Sequence, residues 1–127
     1  MRHGDRSASQ IEDQLSARGV SEDERVEAIA TLARTGLLDD RRFAETRAER
    51  LADRGAGNAF IRHDLARAGV DAELVDHAVS ALESERERAE RIVARRGPGP
   101  KTARYLAGKG FSEDVIYAAV ARAPDDT

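Results

Sequence analysis

Leu15-Ser-Ala-Arg-Gly19-Val20-Ser21-Glu22, Leu65-Ala-Arg-Ala-Gly69-Val70-Asp71-Ala72 and Leu106-Ala-Gly-Lys-Gly110-Phe111-Ser112-Glu113 are one pattern written three times. In each copy an apolar helix end runs through Leu-x-x-x-Gly, a β-branched or aromatic residue follows, and a helix-starting polar residue comes next. The leucine packs, and the glycine supplies the left-handed backbone on which a helix can stop. The copies stand 50 and 41 residues apart. A period of that size marks a stacked helical array, in which each unit covers its neighbour's apolar face. Such arrays bind partners more often than they do chemistry.

The 127 residues suffice for one domain or one short array. Apolar residues make up 40%, but aromatics only 4%, with no Trp, so alanine and leucine must fill most of the interior. The absence of Cys removes disulfide frameworks and thiolate metal sites. No apolar run approaches bilayer length and no signal-peptide pattern opens the chain, so a cytoplasmic location is expected; the chain is also expected to be monomeric. The net charge of −3 is unevenly spread. Residues 5–40 carry nine acids against four bases, residues 41–70 seven bases against four acids, residues 71–85 five acids and no base, and residues 86–109 eight bases against two acids. Alternating charge of this kind suits a partner that presents both protein and phosphate.

Helical periodicity runs almost throughout, with no sustained strand alternation. Residues 1–6 read as a disordered start. A first unit is expected over 7–55: a helix with Ile11 and Leu15 inward, a second opened by a Ser21/Glu24 capping box with Val26, Ile29, Leu32 and Ala33 as its apolar stripe, and a third opened by Asp39-Asp40. Gly55-Ala56-Gly57 then marks a boundary. A second unit over 56–97 repeats the plan with Ile61, Leu65, Val75, Ala78, Val79, Ala89, Ile92 and Val93 inward. Gly97-Pro98-Gly99-Pro100 forbids helix and marks the next boundary. A truncated two-helix unit over 98–123 and a tail at 124–127 complete an all-α, elongated and curved array of three, three and two helices.

Leu38-Asp39-Asp40-Arg41-Arg42-Phe43-Ala44, then Arg50, Gly55-x-Gly57 and Ile61-Arg62-x-x-Leu65-x-x-x-Gly69-Val70, resemble the central motif of the RecX family. Arg104-Tyr105-Leu106-Ala107-x-x-Gly110-Phe111-Ser112-x-x-Val115-Ile116 is similar to that family's closing motif. The resemblance spans about residues 11–122. It implies tandem three-helix units that bind in the groove of the RecA filament on single-stranded DNA and hinder filament extension, ATP hydrolysis and strand exchange, modulating recombination and repair. The chain departs from the family at Ala56, where an aromatic is common, and at Asn58-Ala59-Phe60, where Pro and a basic pair are common. Asn58 is expected to cap its helix in their place.

The candidate partner-facing residues are arginines on polar helix faces: Arg47, Arg50, Arg54, Arg62, Arg67, Arg88, Arg91, Arg95 and Arg104. Within its own helix Arg50 can reach Asp53, whereas Arg47 and Arg54 find no acid three or four residues away. Asp39, Asp40, Phe43, Gly55, Gly57, Leu65, Gly69, Leu106, Gly110 and Phe111 read as structural, and Phe60 and Tyr105 as interface anchors. Nothing points to catalysis. His3, His63 and His77 read as surface residues, Gly97-Pro98-Gly99-Pro100 lacks the Lys-Ser/Thr of a phosphate loop, and Asp39-Asp40 reads as a helix cap rather than a metal pair. No cofactor or metal is expected. Two other functions fit an all-helical chain: an autonomous DNA-binding module, against which the overall acidity and the lack of a base-reading helix weigh, and a purely structural scaffold.

Overall fold

The computed structural model describes residues 6–122, and every regular element in that span is a helix. The order is α1 (Ala8–Ala17), α2 (Glu22–Arg34), α3 (Asp40–Asp53), α4 (Asn58–Arg67), α5 (Ala72–Ser80), α6 (Glu85–Arg96), α7 (Pro100–Gly108) and α8 (Glu113–Arg122). The all-α repeat array expected from the sequence is the fold observed. Apart from Arg6, the expected loose start and frayed tail lie outside the described residues, as does His3.

All three Leu-x-x-x-Gly copies close their helices alike. The N–H after the glycine donates to the leucine carbonyl: Val20 to Leu15 at 3.0 Å, Val70 to Leu65 at 3.1 Å and Phe111 to Leu106 at 3.1 Å. The glycine N–H donates to the carbonyl three residues back, with φ of 81° at Gly19, 84° at Gly69 and 94° at Gly110. This bond pair is a Schellman cap, whose apolar contact joins the leucine to the residue after the glycine. Leu32-x-x-x-Gly36-Leu37 and Leu51-x-x-x-Gly55-Ala56 end α2 and α3 with the same two bonds.

Helix starts are equally local. Ser7 and Gln10 form a reciprocal capping box at α1, Asp39 Oδ1 accepts from Arg42 N–H at 3.1 Å, and Ser84 Oγ accepts from Glu87 N–H at 3.1 Å. At α2, Ser21 Oγ accepts from Glu24 N–H at 3.3 Å and donates to the Glu24 carboxylate at 2.9 Å. The reciprocal half of the box expected there is therefore replaced by a side-chain bond.

Buried side chains group the helices as two, three and three, rather than three, three and two. One core joins α3, α4 and α5 through Phe43, Ala44, Ala48, Ile61, Leu65, Val75, Ala78 and Val79. A second joins α6, α7 and α8 through Ala89, Ile92, Val93, Leu106, Phe111 and Ala119. Gly55–Gly57 and Gly97–Pro100 thus lie inside the three-helix units, and the expected boundaries at 55/56 and 97/98 move to the α2–α3 and α5–α6 links. The physical reason is that glycine and proline mark the sharpest turn, and each unit needs that turn between its own first and second helices. The α1–α2 pair stands before these units, and α2 buries no residue. Its expected stripe stays largely in solvent: Val26 is 59% exposed, Ala33 is exposed, and Ile29 and Leu32 are half-buried.

Two equivalent joints link the groups. At the first, Ser7 Oγ donates to the Ala68 carbonyl beside Gly69, and the Ala8 N–H donates to Asp40 Oδ1 at 2.8 Å. Fifty residues on, the Gly57 N–H donates to the Lys109 carbonyl at 2.8 Å beside Gly110, the Asn58 N–H donates to Glu85 Oε2 at 2.5 Å, and the Ala59 N–H donates to the Gly110 carbonyl at 3.2 Å. Asp40 and Glu85 occupy the same place, one residue after the N-caps Asp39 and Ser84. The N-terminal N–H groups of α4, which has no side-chain cap, are therefore taken up by the following unit. Asn58, expected to cap α4, is instead its first helical residue, behind Gly57.

The joints admit little more than glycine. A Cβ on Gly57 would lie 2.4 Å from the backbone of Gly110 and Phe111, and one on Gly69 would lie 2.1 Å from Ser9 Cβ. Gly57→Ala is therefore expected to lower stability in urea unfolding by about 1–3 kcal/mol. Gly108 lies in α7 with nothing within 4 Å of an added Cβ. Gly108→Ala is expected to raise stability by about 0.5–1 kcal/mol.

Candidate partner-binding surface

The arginines proposed from sequence separate into a buried one, three tied in ion pairs and five with no ion pair among the described residues. Aligning α6 on α3 by their N-caps places Arg88 where α3 has Phe43. Both are buried, Phe43 at 3% and Arg88 at 6% exposure. The Arg88 Nε donates to the Glu83 carbonyl at 2.9 Å, Nη1 to the Ala56 carbonyl at 2.8 Å, and Nη2 to Asn58 Oδ1. Its guanidinium lies 6.0 Å from the Phe111 ring centroid. Burial lowers its pKa, opposed by the nearby Glu85 and Glu83. Arg88, expected on an exposed stripe with Arg91 and Arg95, is thus corrected to a joint residue: it holds the α3–α4 turn and the start of α4 against α6. A helical register against Phe43 is the signal that could have found it.

Around that joint lies a cleft of about 560 Å³, lined by Ala52, Gly55, Leu82, Ile92, Tyr105 and Phe111, with Arg54, Arg91 and Arg95 and the acids Glu49, Asp53 and Glu83 at its polar edge. Three of the candidate arginines, from the end of α3 and one face of α6, therefore share one opening above Arg88. The Arg91 Nη2 donates to both Glu83 carboxylate oxygens at 2.6 and 2.5 Å, and that hydrogen bond, with the Glu83 charge, raises its pKa. Arg54 and Arg95 are exposed and have no ion pair within 4.0 Å among the described residues.

The remaining candidates lie elsewhere. Arg47, expected to find no acid on its own helix, reaches across to α4 and pairs with Asp64, its Nη2 3.2 Å from Oδ2. Arg62 of α4 pairs with Asp76 of α5. Arg50 makes no ion pair with Asp53, and Arg50 and Arg67 are both exposed. Arg104 borders a separate apolar groove of about 610 Å³ between α7 and α8. Phe60 is 46% exposed, its Cβ side turned to Gly110.

Sequence reading missed the cation–aromatic stack at the cleft. The Arg96 guanidinium lies 3.8 Å from the Tyr105 ring centroid, and Lys109 Nζ lies 6.0 Å from it. Tyr105 Oη is also 3.6 Å from where a Cβ on Gly55 would stand. The contact joins α6 to α7, and only the fold brings Arg96 and Tyr105 together across the Gly97–Pro100 turn. Among the described residues, no group of His, Asp and Glu could hold a metal ion and no helix is long and apolar enough to cross a membrane.

Arg88→Met removes three donors from buried or half-buried acceptors, and is expected to cost about 2–4 kcal/mol in urea unfolding. Arg91→Ala and Arg95→Ala are expected to leave the unfolding midpoint where it is, which separates the joint residue from the cleft edge.

A family model described as RecX, second three-helix domain, matches residues 39–79, which are α3 to α5 with the α3 N-cap. A regulatory protein RecX from Stenotrophomonas maltophilia (strain R551-3) is 34% identical over 130 residues, covering 94% of this chain and 80% of that protein. One from Streptomyces lividans is 32% identical over 134 residues, covering 95% and 71%. Among solved structures, RecX from Lactobacillus salivarius superposes with a TM-score of 0.77 at 24% identity, covering 91% of this chain and 84% of that one.

Proposed function

The chain belongs to the RecX family of regulatory proteins, and from that premise we propose that it regulates the RecA recombinase by binding the filament that RecA forms on single-stranded DNA. In this reading it works in the cytoplasm as a monomer, without a cofactor. The observation that carries the reading is the cleft at the joint of the two three-helix units, where Arg54, Arg91 and Arg95 converge over a polar joint. A cleft that sets arginines and carboxylates around an apolar floor suits a protein surface lying beside a phosphate backbone. Bare duplex would call for a uniformly basic face.

Two features support a mechanism by bridging. First, the units are held in fixed relation by hydrogen bonds at both joints, so a contact made by one unit constrains the next. Second, the arginines with no ion pair among the described residues are spread along the array: Arg50 on α3, Arg54 at its C-cap, Arg67 on α4, Arg95 on α6 and Arg104 on α7. A chain seated in a filament groove would then touch more than one RecA protomer, and would oppose both monomer addition and the motions of ATP turnover. Arg88 acts here by positioning: it sets the geometry of the cleft and does not meet the partner.

The single-stranded-DNA-dependent ATPase of the cognate RecA, titrated with this chain, tests the reading. Inhibition is expected well below one chain per RecA protomer. The triple substitution Arg54→Ala, Arg91→Ala, Arg95→Ala is expected to raise the half-inhibitory concentration about tenfold or more, as the loss of several charge-assisted contacts of roughly 0.5–1.5 kcal/mol each implies. Absence of inhibition at equimolar chain would overturn the function; inhibition unchanged in the triple variant would remove the cleft from it.

A further inference from the structure

Of the three arginines at the edge of the cleft, one is already engaged. The Arg91 Nη2 donates to both carboxylate oxygens of Glu83, whereas Arg54 and Arg95 have no ion pair within 4.0 Å among the described residues. The pairing is not the local one. Glu87 lies one turn before Arg91 on α6, the spacing at which Arg86 meets Glu90 at 3.7 Å. Arg91 instead makes its ion pair with Glu83, eight residues away and just before the Ser84 N-cap.

Glu83 is held for that contact. Its backbone carbonyl accepts from Arg88 Nε at 2.9 Å, so the buried joint residue fixes the stretch of chain from which the Glu83 carboxylate reaches Arg91. The Glu83 side chain is 37% exposed against 63% for Arg91, the more covered of the two. Glu49 and Asp53, the other acids at that edge, make no ion pair with an arginine of the cleft among the described residues. One of the three cations that the cleft offers to an anionic partner is thus neutralised from within, by an acid that the joint itself places.

We propose that Glu83 is an internal counter-ion that restrains the cleft: in the free chain its carboxylate holds the place on Arg91 that an anionic group of the partner takes in the complex. The proposal deepens the RecA reading, and for the partner's identity rests on it. A partner bringing a single carboxylate would exchange one like group for another and gain little at Arg91. One bringing several closely spaced negative charges engages Arg54 and Arg95 at the same time, and those contacts offset the loss of Glu83. Glu83 thereby sets the selectivity of the cleft as well as its affinity, without itself touching the partner.

The test follows the arginine side-chain resonances of the intact, isotope-labelled chain as tripolyphosphate is added, a probe with closely spaced charges that needs no RecA. Glu83→Gln removes the charge and keeps the backbone carbonyl that Arg88 holds. It is expected to tighten binding, read at Arg95, about threefold, the scale of one exposed ion pair. The gain is expected to vanish when Arg91→Ala is added. Glu49→Gln takes the same charge from the same edge and frees no arginine, and is expected to give a smaller gain. Unchanged binding in Glu83→Gln would overturn the proposal, as would an equal gain from Glu49→Gln or no binding by either chain at millimolar probe. Glu83→Gln is also expected to lower the concentration of chain that half-inhibits the RecA ATPase by a similar factor. A wild-type chain that shows the tripolyphosphate series but does not inhibit RecA would support the counter-ion and overturn the RecA reading alone.

Discussion

The structure depends on one constraint: the N-termini of α1 and α4 must find their hydrogen-bond acceptors in the unit that follows. A helix leaves its first N–H groups without internal partners, and burying them unpaired costs more than a single bond returns. At α4 the Gly57 N–H meets the carbonyl just before a Schellman glycine and the Asn58 N–H meets Glu85; at α1 the Ala8 N–H meets Asp40, and the Ser7 hydroxyl takes the carbonyl before Gly69. The array is therefore stitched by polar contacts of defined direction, while each three-helix core is apolar and self-contained. Direction is what an apolar seam alone would not supply, because apolar contacts tolerate sliding and hydrogen bonds do not.

Arg88 extends the same logic. An arginine in the place of Phe43 keeps the bulk needed to fill the position, and its fork of donors reaches the Ala56 carbonyl and Asn58 in the neighbouring unit. Desolvation opposes burying such a cation, and the closeness of Glu83 and Glu85 offsets part of that cost. The departure from the family pattern at residues 58–60 bears on this contact, since Asn58 supplies one of the acceptors. What looks at first like a lost basic corner is an acceptor for a basic residue from the next unit. The cleft follows as a consequence: with Arg88 drawn inward, Arg91 and Arg95 stand on the α6 face beside it, opposite Arg54 at the end of α3.

Much of this was legible in the sequence, and the part that was not has a physical cause. The Leu-x-x-x-Gly signal is local, because leucine carbonyl, glycine and the next apolar residue form one closed motif within six residues. It therefore located the helices and their ends well. Grouping of helices into units is not local. Gly55–Gly57 and Gly97–Pro100 are stronger breaks than the α2–α3 and α5–α6 links, yet break strength measures the sharpness of a turn and not the absence of packing across it. The arginines divide in the same way. Arg47 found its acid on α4 and Arg62 on α5, partners that no count along a single helix could reach. Arg88 was within reach of the sequence only through its register with a buried phenylalanine, a comparison that requires the units to be grouped correctly first.

That register also sets the start of α7 apart from the start of α4. Counting 41 residues on from Gly57 and Ala59, whose N–H groups bond the Lys109 and Gly110 carbonyls, leads to Pro98 and Pro100. Proline has no N–H to give. Pro100 suits the first turn of α7, where an N–H would lack an internal partner anyway, and Pro98 precedes it in the turn. The two prolines suit the start of α7 and remove two of the three backbone donors that α4 uses at its joint, Gly99 standing in the place of Asn58. The prolines that read from sequence as a unit boundary are thus placed inside a unit. There they turn α6 into α7 and, at the same positions, leave α7 without two of the donors that α4 uses at its joint.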